Sequence, residues 1–149
     1  MIIQIDNQNK YNALEIHYVF QRSYKVEAEL LKATDFPPLK KTVKDFIECK
    51  SLFFGYYEED VLAGIIEINN PKASTHIQSL VVHPDYFRKS IASNLLKYIF
   101  ENINQKTFTV ETGVDNLPAI NLYKKFLFQE VKQWDTTHGV RKVRFKLSL

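Results

Sequence analysis

One stretch near the middle of the chain constrains the fold more than any other, because it predicts a strand, a helix and a second strand in succession. The first strand is predicted at Thr75–Val82 and the second at residues 108–111. Between them, from near Ser90, apolar residues recur at helical spacing: Ile91, Leu95, Ile99 and Ile103. A helix that joins two strands allows them to lie parallel in one sheet, which a tight hairpin cannot do.

The remaining elements predict hairpins and further helices around this unit. Further strands are predicted at residues 2–5, 52–57, 61–68, 129–135 and 140–147, and further helices at residues 11–33, 39–47 and 118–126. Asn12 and Glu15 resemble a capping box near the start of the first helix. A polar turn is predicted at residues 69–72. The fold class is therefore α+β (mixed α/β), with the order βααβββαβαββ.

The length and composition are those of one globular domain, which we expect to span residues 1–149. The residues are 45% hydrophobic and 25% charged, close to the averages of soluble domains. The net charge of +3 is too small to indicate a nucleic-acid partner. There is no apolar run of membrane-spanning length, no signal-peptide pattern, and no metal-ligand spacing among one cysteine and four histidines. We therefore expect a cytoplasmic protein with no metal, no nucleic-acid partner and no membrane contact.

The turn after Thr75–Val82 has the features of an anion site. A helix N-terminus carries free backbone N–H groups and a partial positive charge, and Arg88 and Lys89 lie beside this one. These features together suit a phosphate or pyrophosphate. An ordinary strand–turn–helix with two solvated basic residues has the same pattern, so this stretch alone does not decide between the two.

A second stretch, downstream of residues 108–111, changes this balance. Five of its residues follow the pattern N-x-x-A-x-x-L-Y with a later aromatic: Asn116, Ala119, Leu122, Tyr123 and Phe128. Upstream, Val82-His83-Pro84 and Ala92 fit a strand that ends V-x-P before a glycine-rich turn. Together the two stretches resemble the GNAT superfamily of acyl-CoA-dependent N-acetyltransferases. The resemblance implies a GNAT-like fold, with a central, mostly antiparallel sheet of about seven strands, one parallel strand pair and about four flanking helices.

By that resemblance, the chain moves an acetyl group from acetyl-CoA to a primary amine by direct attack on the thioester. The main chain of Leu80, Val81 and Val82 would pair with the pantetheine arm, which Asn116 would also contact. Tyr123 would protonate the departing thiolate. The backbone amides of the turn and helix start would hold the pyrophosphate: Phe87, Arg88, Lys89, Ser90, Ile91, Ala92 and Ser93.

Three residues depart from the family pattern. Phe87 stands where Arg or Gln is usual, Ser90 where Gly is usual, and Leu127 where Gly precedes Phe128. The Cβ of Ser90 limits backbone approach and disfavours positive φ. Phe87 and Ser90, together with Gln78, keep open an alternative function, a catalytically weak or inactive CoA-binding or regulatory module of the same fold.

The sequence leaves the general base open. Many family members carry a glutamate at the position of Gln78, and a glutamine cannot serve as a base. Glu67, Glu111 and His76 are substitutes, each with an ordinary structural interpretation as well. Without a dedicated base, an amine of low pKa reacts more easily. At pH 7 about one lysine side chain in 2,500 is neutral, against roughly one α-amine in five to ten. We therefore expect the acceptor to be the α-amine of a small molecule or peptide.

The acceptor site is expected across the sheet from the cofactor. Its candidate walls are the connection at residues 35–38 and the last hairpin. Candidate lining residues are Tyr24, Trp134, Asp135 and His138.

Basic residues alternate along the last strand, which we expect to lie at a sheet edge: Lys142, Arg144 and Lys146. A nucleic-acid interface is a third interpretation of them, although charges on edge strands commonly prevent edge-to-edge pairing. The resemblance also implies a possible homodimer, since many family members pair through their carboxy-terminal strands.

Overall fold

The computed structural model describes residues 1–69 and 73–149, which form a seven-stranded sheet flanked by four α-helices. The strands are β1 (Ile2–Ile5), β2 (Leu52–Glu58), β3 (Val61–Asn69), β4 (Thr75–Val82), β5 (Thr107–Gly113), β6 (Gln129–Asp135) and β7 (Arg141–Ser148). The helices are α1 (Lys10–Leu30), α2 (Val43–Glu48), α3 (Ile91–Asn102) and α4 (Leu117–Lys125), and two short 3-10 helices cover Pro37–Lys40 and Pro84–Tyr86. The turn predicted at residues 69–72 includes residues 70–72, which lie outside the described part of the chain.

The strands follow the spatial order β1-β2-β3-β4-β5-β7-β6. Strands β4 and β5 pair in parallel, and every other neighbouring pair is antiparallel. Helix α3 connects the two parallel strands. The predicted fold class, including the single parallel pair, is confirmed.

The helices cover the sheet on two faces because successive strand residues point in opposite directions. Phe53 and Ile65 are buried in a cluster with residues of α1 and α2. Their chain neighbours Phe54 and Ile66 are buried in a second cluster with residues of α3 and with Tyr123 of α4. The sheet is therefore the middle layer of the domain.

The first two helices begin at other residues than the sequence predicts. The N-cap of α1 is Asn9, whose side chain accepts a hydrogen bond from the backbone N–H of Asn12. The predicted helix at residues 39–47 is divided, because Thr42 takes an extended backbone and forms a capping box with Asp45 at the start of α2.

Helix α3 lies close to β3 because Gly64 has no side chain. A Cβ at Gly64 would meet the Cγ2 of Ile91 at 2.6 Å and the Cδ1 of Leu95 at 3.3 Å. Ile91 is the first residue of α3 and is 2% exposed. The amino terminus of α3 is therefore fixed against the sheet.

The prediction that the last strand lies at a sheet edge is wrong. Strand β7 runs between β5 and β6, so the edges are β1 and β6. Arg144 pairs with Glu111 of β5 at 2.6 Å, and Lys142 lies 3.8 Å from the same carboxylate. Two of the three basic residues are thus partly neutralised by a neighbouring strand, which does not favour a nucleic-acid interface.

Within residues 1–69 and 73–149, no helix combines the length and the apolar character needed to cross a membrane.

Candidate active site

The central feature of the site is a fork between β4 and β5. The two strands pair only at Thr75 with Phe108, His76 with Thr109, and Ile77 with Val110. Beyond Ile77, β4 remains paired with β3, and beyond Val110, β5 remains paired with β7. The facing edges therefore diverge and leave backbone N–H and C=O groups without a strand partner between them.

A cavity of about 320 Å³ occupies this fork. Ile77 to Leu80 line it from β4 and Val110 to Gly113 from β5. Tyr24 and Glu27 line it from α1, and Tyr123 from α4. Because α1 and α4 pack on opposite faces of the sheet, the cavity joins the two faces.

Tyr123 is held at the cavity by the way α4 ends. The N–H of Phe128 donates to the carbonyl of Tyr123 at 3.0 Å, and the N–H of Leu127 donates to that of Lys124 at 2.9 Å. This is a Schellman motif, in which Leu127 takes a left-handed φ of 68°. The Phe128 ring packs against Tyr123 with 5.5 Å between centroids.

The Tyr123 phenol stays protonated at neutral pH. Its side chain is 4% exposed. Burial, and after it the charge of Glu27, raises the pKa of Tyr123 well above its ordinary value. A protonated phenol beside the fork is a potential proton donor to a leaving group.

Glu27 is a site residue that the sequence analysis does not single out. Its Oε1 accepts a 2.6 Å hydrogen bond from the side-chain amide of Asn116. Burial raises the pKa of the Glu27 carboxyl, whereas the Asn116 hydrogen bond and the charge of Lys142 lower it by smaller amounts. The spacing of Glu27 could have indicated its burial. It follows Tyr24 by three residues and precedes Leu31 by four, so it lies on the apolar face of the helix.

The side-chain polar atoms of Asn116 form hydrogen bonds within the protein. Its Oδ1 caps α4 by accepting from the N–H of Ala119, and its amide also donates to Thr112 at 3.2 Å. Its residue is 8% exposed. The side chain that the family resemblance assigns to the cofactor arm therefore also orients Glu27.

The predicted anion-binding turn has an unusual backbone. Arg88 and Ser90 both take left-handed conformations, with φ of 64° and 61°. Ser90 is the N-cap of α3, but its side chain makes no capping hydrogen bond. Such a turn at a helix start presents backbone N–H groups outward, as anion-binding nests do.

The side chains of this segment divide into buried and exposed ones. Val81 and Ile91 are buried, Leu80, Val82, Ala92 and Ser93 are half-buried, and Phe87, Arg88, Lys89 and Ser90 are exposed. Lys89 pairs with Glu58 at 3.2 Å. Within the described ranges, no carboxylate pairs with Arg88, so its charge is available at the turn.

Gln78, at the usual position of the base, and its three possible substitutes lie in different surroundings. Gln78 is exposed and accepts a hydrogen bond from Asn69. Glu67 is 1% exposed, lies 3.5 Å from the Cys49 thiol and does not line the cavity. Glu111 lines the cavity but is ion-paired with Arg144.

His76, the third substitute, lies 2.7 Å from the Thr109 hydroxyl. Burial lowers its pKa, an effect that the charge of Glu111 partly opposes. Like Glu67, it does not line the cavity.

Some of the residues expected to form the acceptor site line the cavity. Phe36, Pro37 and Pro38 line the cavity from the connection between α1 and α2. Tyr24 and His138 line it as well, whereas Trp134 and Asp135 do not. In the part of the chain that the structure describes, no three His, Cys, Asp or Glu side chains are grouped to hold a metal ion.

Comparison with known proteins places this geometry in a family. Residues 13–128 match the model of the acetyltransferase (GNAT) family. The chain is 31% identical over 141 residues to the UPF0157 protein YqkA of Bacillus subtilis, which covers 94% of this chain and 41% of that protein. It is 39% identical over 61 residues to an N-alpha-acetyltransferase of Saccharolobus solfataricus, which covers 38% of this chain and 36% of that protein. The chain thus spans about two fifths of the length of these relatives.

Solved structures share the fold at low identity. The ribosomal-protein-S18-alanine N-acetyltransferase of Escherichia coli superposes with a TM-score of 0.77 at 19% identity, covering 99% of this chain and 92% of that one. YncA of Salmonella typhimurium, a putative acetyltransferase solved with its cofactor acetyl-CoA, superposes with a TM-score of 0.76 at 13% identity, covering 100% of this chain and 93% of that one. The family model spans most of the chain, and the chain therefore belongs to the acetyltransferase (GNAT) family.

Proposed function

We propose that the protein transfers an acetyl group from acetyl-CoA to the α-amine of a peptide or small molecule. The observation that carries this proposal is the fork between β4 and β5, with Tyr123 on its wall. A thioester lying in the fork has unpaired main chain on both sides and a protonated phenol within the same cavity.

The cofactor would bind along β4 and the turn that follows. The main-chain groups of Leu80, Val81 and Val82 that point away from β3 are suited to the amides of a pantetheine arm. The amides of residues 87–93, with the charge of Arg88, are suited to a pyrophosphate. A family member solved with acetyl-CoA supports this assignment.

The chemistry requires three groups at the thioester. A backbone N–H of the strand that carries Val81 and Val82 would stabilise the oxyanion formed when the amine attacks the carbonyl carbon. When the carbon–sulfur bond breaks, Tyr123 would give the thiolate a proton. The third group takes a proton from the acceptor amine.

An α-amine acceptor is favoured by two kinds of support. An ordinary α-amine is far more often neutral at pH 7 than a lysine side chain, because its pKa is 7.7–8.0 against about 10.4. The relative from Saccharolobus solfataricus and the structural neighbour from Escherichia coli are named as N-alpha-acetyltransferase and alanine N-acetyltransferase. Both names concern those proteins, and they guide the choice of acceptor to test here.

The test has a binding stage and a transfer stage. Calorimetry with acetyl-CoA should give a Kd of about 100 μM or tighter, roughly −5.5 kcal/mol. Mass spectrometry should then show acetylation of a peptide with a free α-amine. A peptide with a blocked α-amine and an internal lysine should react much more slowly.

The outcomes separate the alternatives. Binding without transfer to any amine would favour a CoA-binding or regulatory module instead. If acetyl-CoA does not bind, membership of the family would describe only the fold of this chain and not its activity. Faster reaction of the internal lysine would overturn the choice of an α-amine.

A further inference from the structure

We infer that Glu27 binds the acceptor ammonium and takes its first proton, an inference that rests on the acetyl transfer proposed above. No sequence motif marks this residue, and only the fold brings it to the cavity. It lies one helical turn from the end of α1, and it lines the fork cavity together with Tyr123.

The Glu27 carboxylate is held in one orientation by the neighbouring amide. The Asn116 amide that donates to Oε1 is itself fixed by Thr112 and by the cap of α4. Among the described residues, none donates a hydrogen bond to the other oxygen, Oε2. One carboxylate oxygen is therefore anchored and the other is available to a ligand in the cavity.

Glu27 shares the cavity with six other charged or titratable side chains. They are Tyr24, Lys41, Glu111, Tyr123, His138 and Lys142. Glu111 is the only other carboxylate among these cavity residues, and Arg144 and Lys142 hold it in ion pairs. Glu27 is thus the cavity carboxylate that has no ion pair in the described structure.

The electrostatics suit a proton acceptor. Burial raises the pKa of Glu27 above that of an ordinary carboxyl, which brings it closer to the pKa of an α-amine. Lys142 opposes this effect in part. A solvated carboxylate would bind an ammonium ion but would hardly take its proton.

The proton movements balance without another reactant. The ammonium gives one proton to Oε2 of Glu27, and the neutral nitrogen then forms a bond to the thioester carbonyl carbon. The carbon–sulfur bond breaks, the sulfur takes the Tyr123 proton, and the phenolate takes the second nitrogen proton. The products are the amide, CoA thiol and a proton on Glu27, which is released to solvent.

Protonation of Glu27 also makes the Tyr123 phenol a better proton donor. The negative charge of Glu27 is one cause of the raised pKa of Tyr123. Once Glu27 is protonated, that cause is removed and the phenol gives up its proton more easily. The two side chains would therefore act in a fixed order.

The test is the pH dependence of kcat/KM for an α-amine peptide, measured for wild type and Glu27→Gln. The substitution keeps an oxygen for Asn116 and removes the base. Glu29→Gln, on the exposed side of the same helix, is the matched control. We expect the Glu27→Gln rate to fall about 100-fold at pH 7. Above pH 9 the difference in kcat/KM between wild type and Glu27→Gln should become smaller, because the substrate amine is then already neutral. The Kd for acetyl-CoA and the Glu29→Gln profile should match wild type.

Each contrary result has its own meaning. A Glu27→Gln enzyme with the wild-type profile, or with a loss of equal size at every pH, would overturn the inference and leave the proposed acetyl transfer standing. A wild-type protein that acetylates no amine would overturn the proposed function, and the role of Glu27 would fall with it.

Discussion

The side-chain amide of Asn116 donates a 2.6 Å hydrogen bond to Glu27, across 89 positions of sequence. The same side chain caps α4 and contacts Thr112 of β5. One residue therefore connects α1, β5 and α4 at the fork. Substitutions at Asn116 should affect helix stability and the Glu27 carboxyl separately.

Asn116→Ser should separate these two effects. Serine keeps a capping oxygen, so the free energy of unfolding should change by less than about 1 kcal/mol. It cannot replace the amide donor that lowers the Glu27 pKa, so that pKa should rise and the acidic limb of the kcat profile should move to higher pH. Asn116→Ala should also lose about 1 kcal/mol of stability. An unmoved acidic limb in Asn116→Ser would contradict the positioning role.

Tyr123→Phe should lower kcat and leave acetyl-CoA binding nearly unchanged. The substitution removes only the hydroxyl from a buried ring, so packing against Phe128 is retained. Loss of a general acid reduces the rate by roughly 10² to 10⁴-fold. Single-turnover kinetics and calorimetry on the same preparation would measure the two effects. A kcat within a few-fold of wild type would exclude Tyr123 as the proton donor.

Ser90→Gly should improve both stability and cofactor affinity. A non-glycine residue in the left-handed region costs about 1–2 kcal/mol, and the extra freedom of unfolded glycine offsets about 0.5–1 of this. The expected gain in unfolding free energy, measured by urea titration, is therefore up to about 1.5 kcal/mol. Removing the Cβ should also tighten the Kd for acetyl-CoA, because a phosphate can approach the backbone more closely.

Leu127→Gly is the matched control for Ser90→Gly. Leu127 also has a left-handed φ and is 77% exposed at the end of α4. The Leu127→Gly variant should gain a similar free energy of unfolding, with no change in the Kd for acetyl-CoA. Equal shifts of the Kd in both variants would argue against a phosphate at Ser90.

Gly64→Ala should weaken acetyl-CoA binding by displacing the start of α3. The new methyl group would lie 2.6 Å from Ile91, so the first turn of the helix must shift. Gly55→Ala creates a similar conflict with Ile5 and Leu62 on the α1 side of the sheet. Each substitution should cost roughly 1–3 kcal/mol of stability, but only Gly64→Ala should raise the Kd. Equal Kd values would show that the position of α3 is irrelevant to binding.

Glu27→Gln should stabilise the protein increasingly as the pH rises. The folded-state pKa of Glu27 lies above its unfolded value, so its favourable contribution is complete below the unfolded pKa and is lost as pH rises through the folded pKa. A glutamine does not titrate. Urea unfolding at pH 4.5 and pH 8 should therefore show a larger advantage for the variant at pH 8. The opposite trend would mean that the folded protein stabilises the charged carboxylate.

Local patterns in the sequence were sufficient for most of the fold. The alternation of Val143, Phe145 and Leu147 with basic residues correctly predicts one buried and one polar face of β7. The same alternation cannot show which strand lies beside which, so it does not distinguish an edge strand from the interior strand that β7 is. The position of β7 inside the sheet depends on its long-range pairing with β5, which leaves no local trace.

Two details of α1 show where local reasoning fails. Asn9 and Asn12 are both suitable N-cap residues. Asn9 is the cap in the structure, whereas the Asn12 side chain donates to the carbonyl of Asp6 in the turn after β1. The sequence does not distinguish Glu27 from other helical carboxylates, because an acidic residue on a helix is usually solvated. Its partner Asn116 is distant in sequence, so only the folded chain brings the pair together.

The short pairing of β4 with β5 has an evolutionary consequence. The groups exposed in the fork belong to the main chain, and replacing side chains leaves them in place. Departures such as Phe87 and Ser90 can therefore accumulate without closing the groove. The fold itself is kept while the sequence diverges far, as the superposition on a protein of 13% identity illustrates, and a ligand site made of main chain would be kept with it.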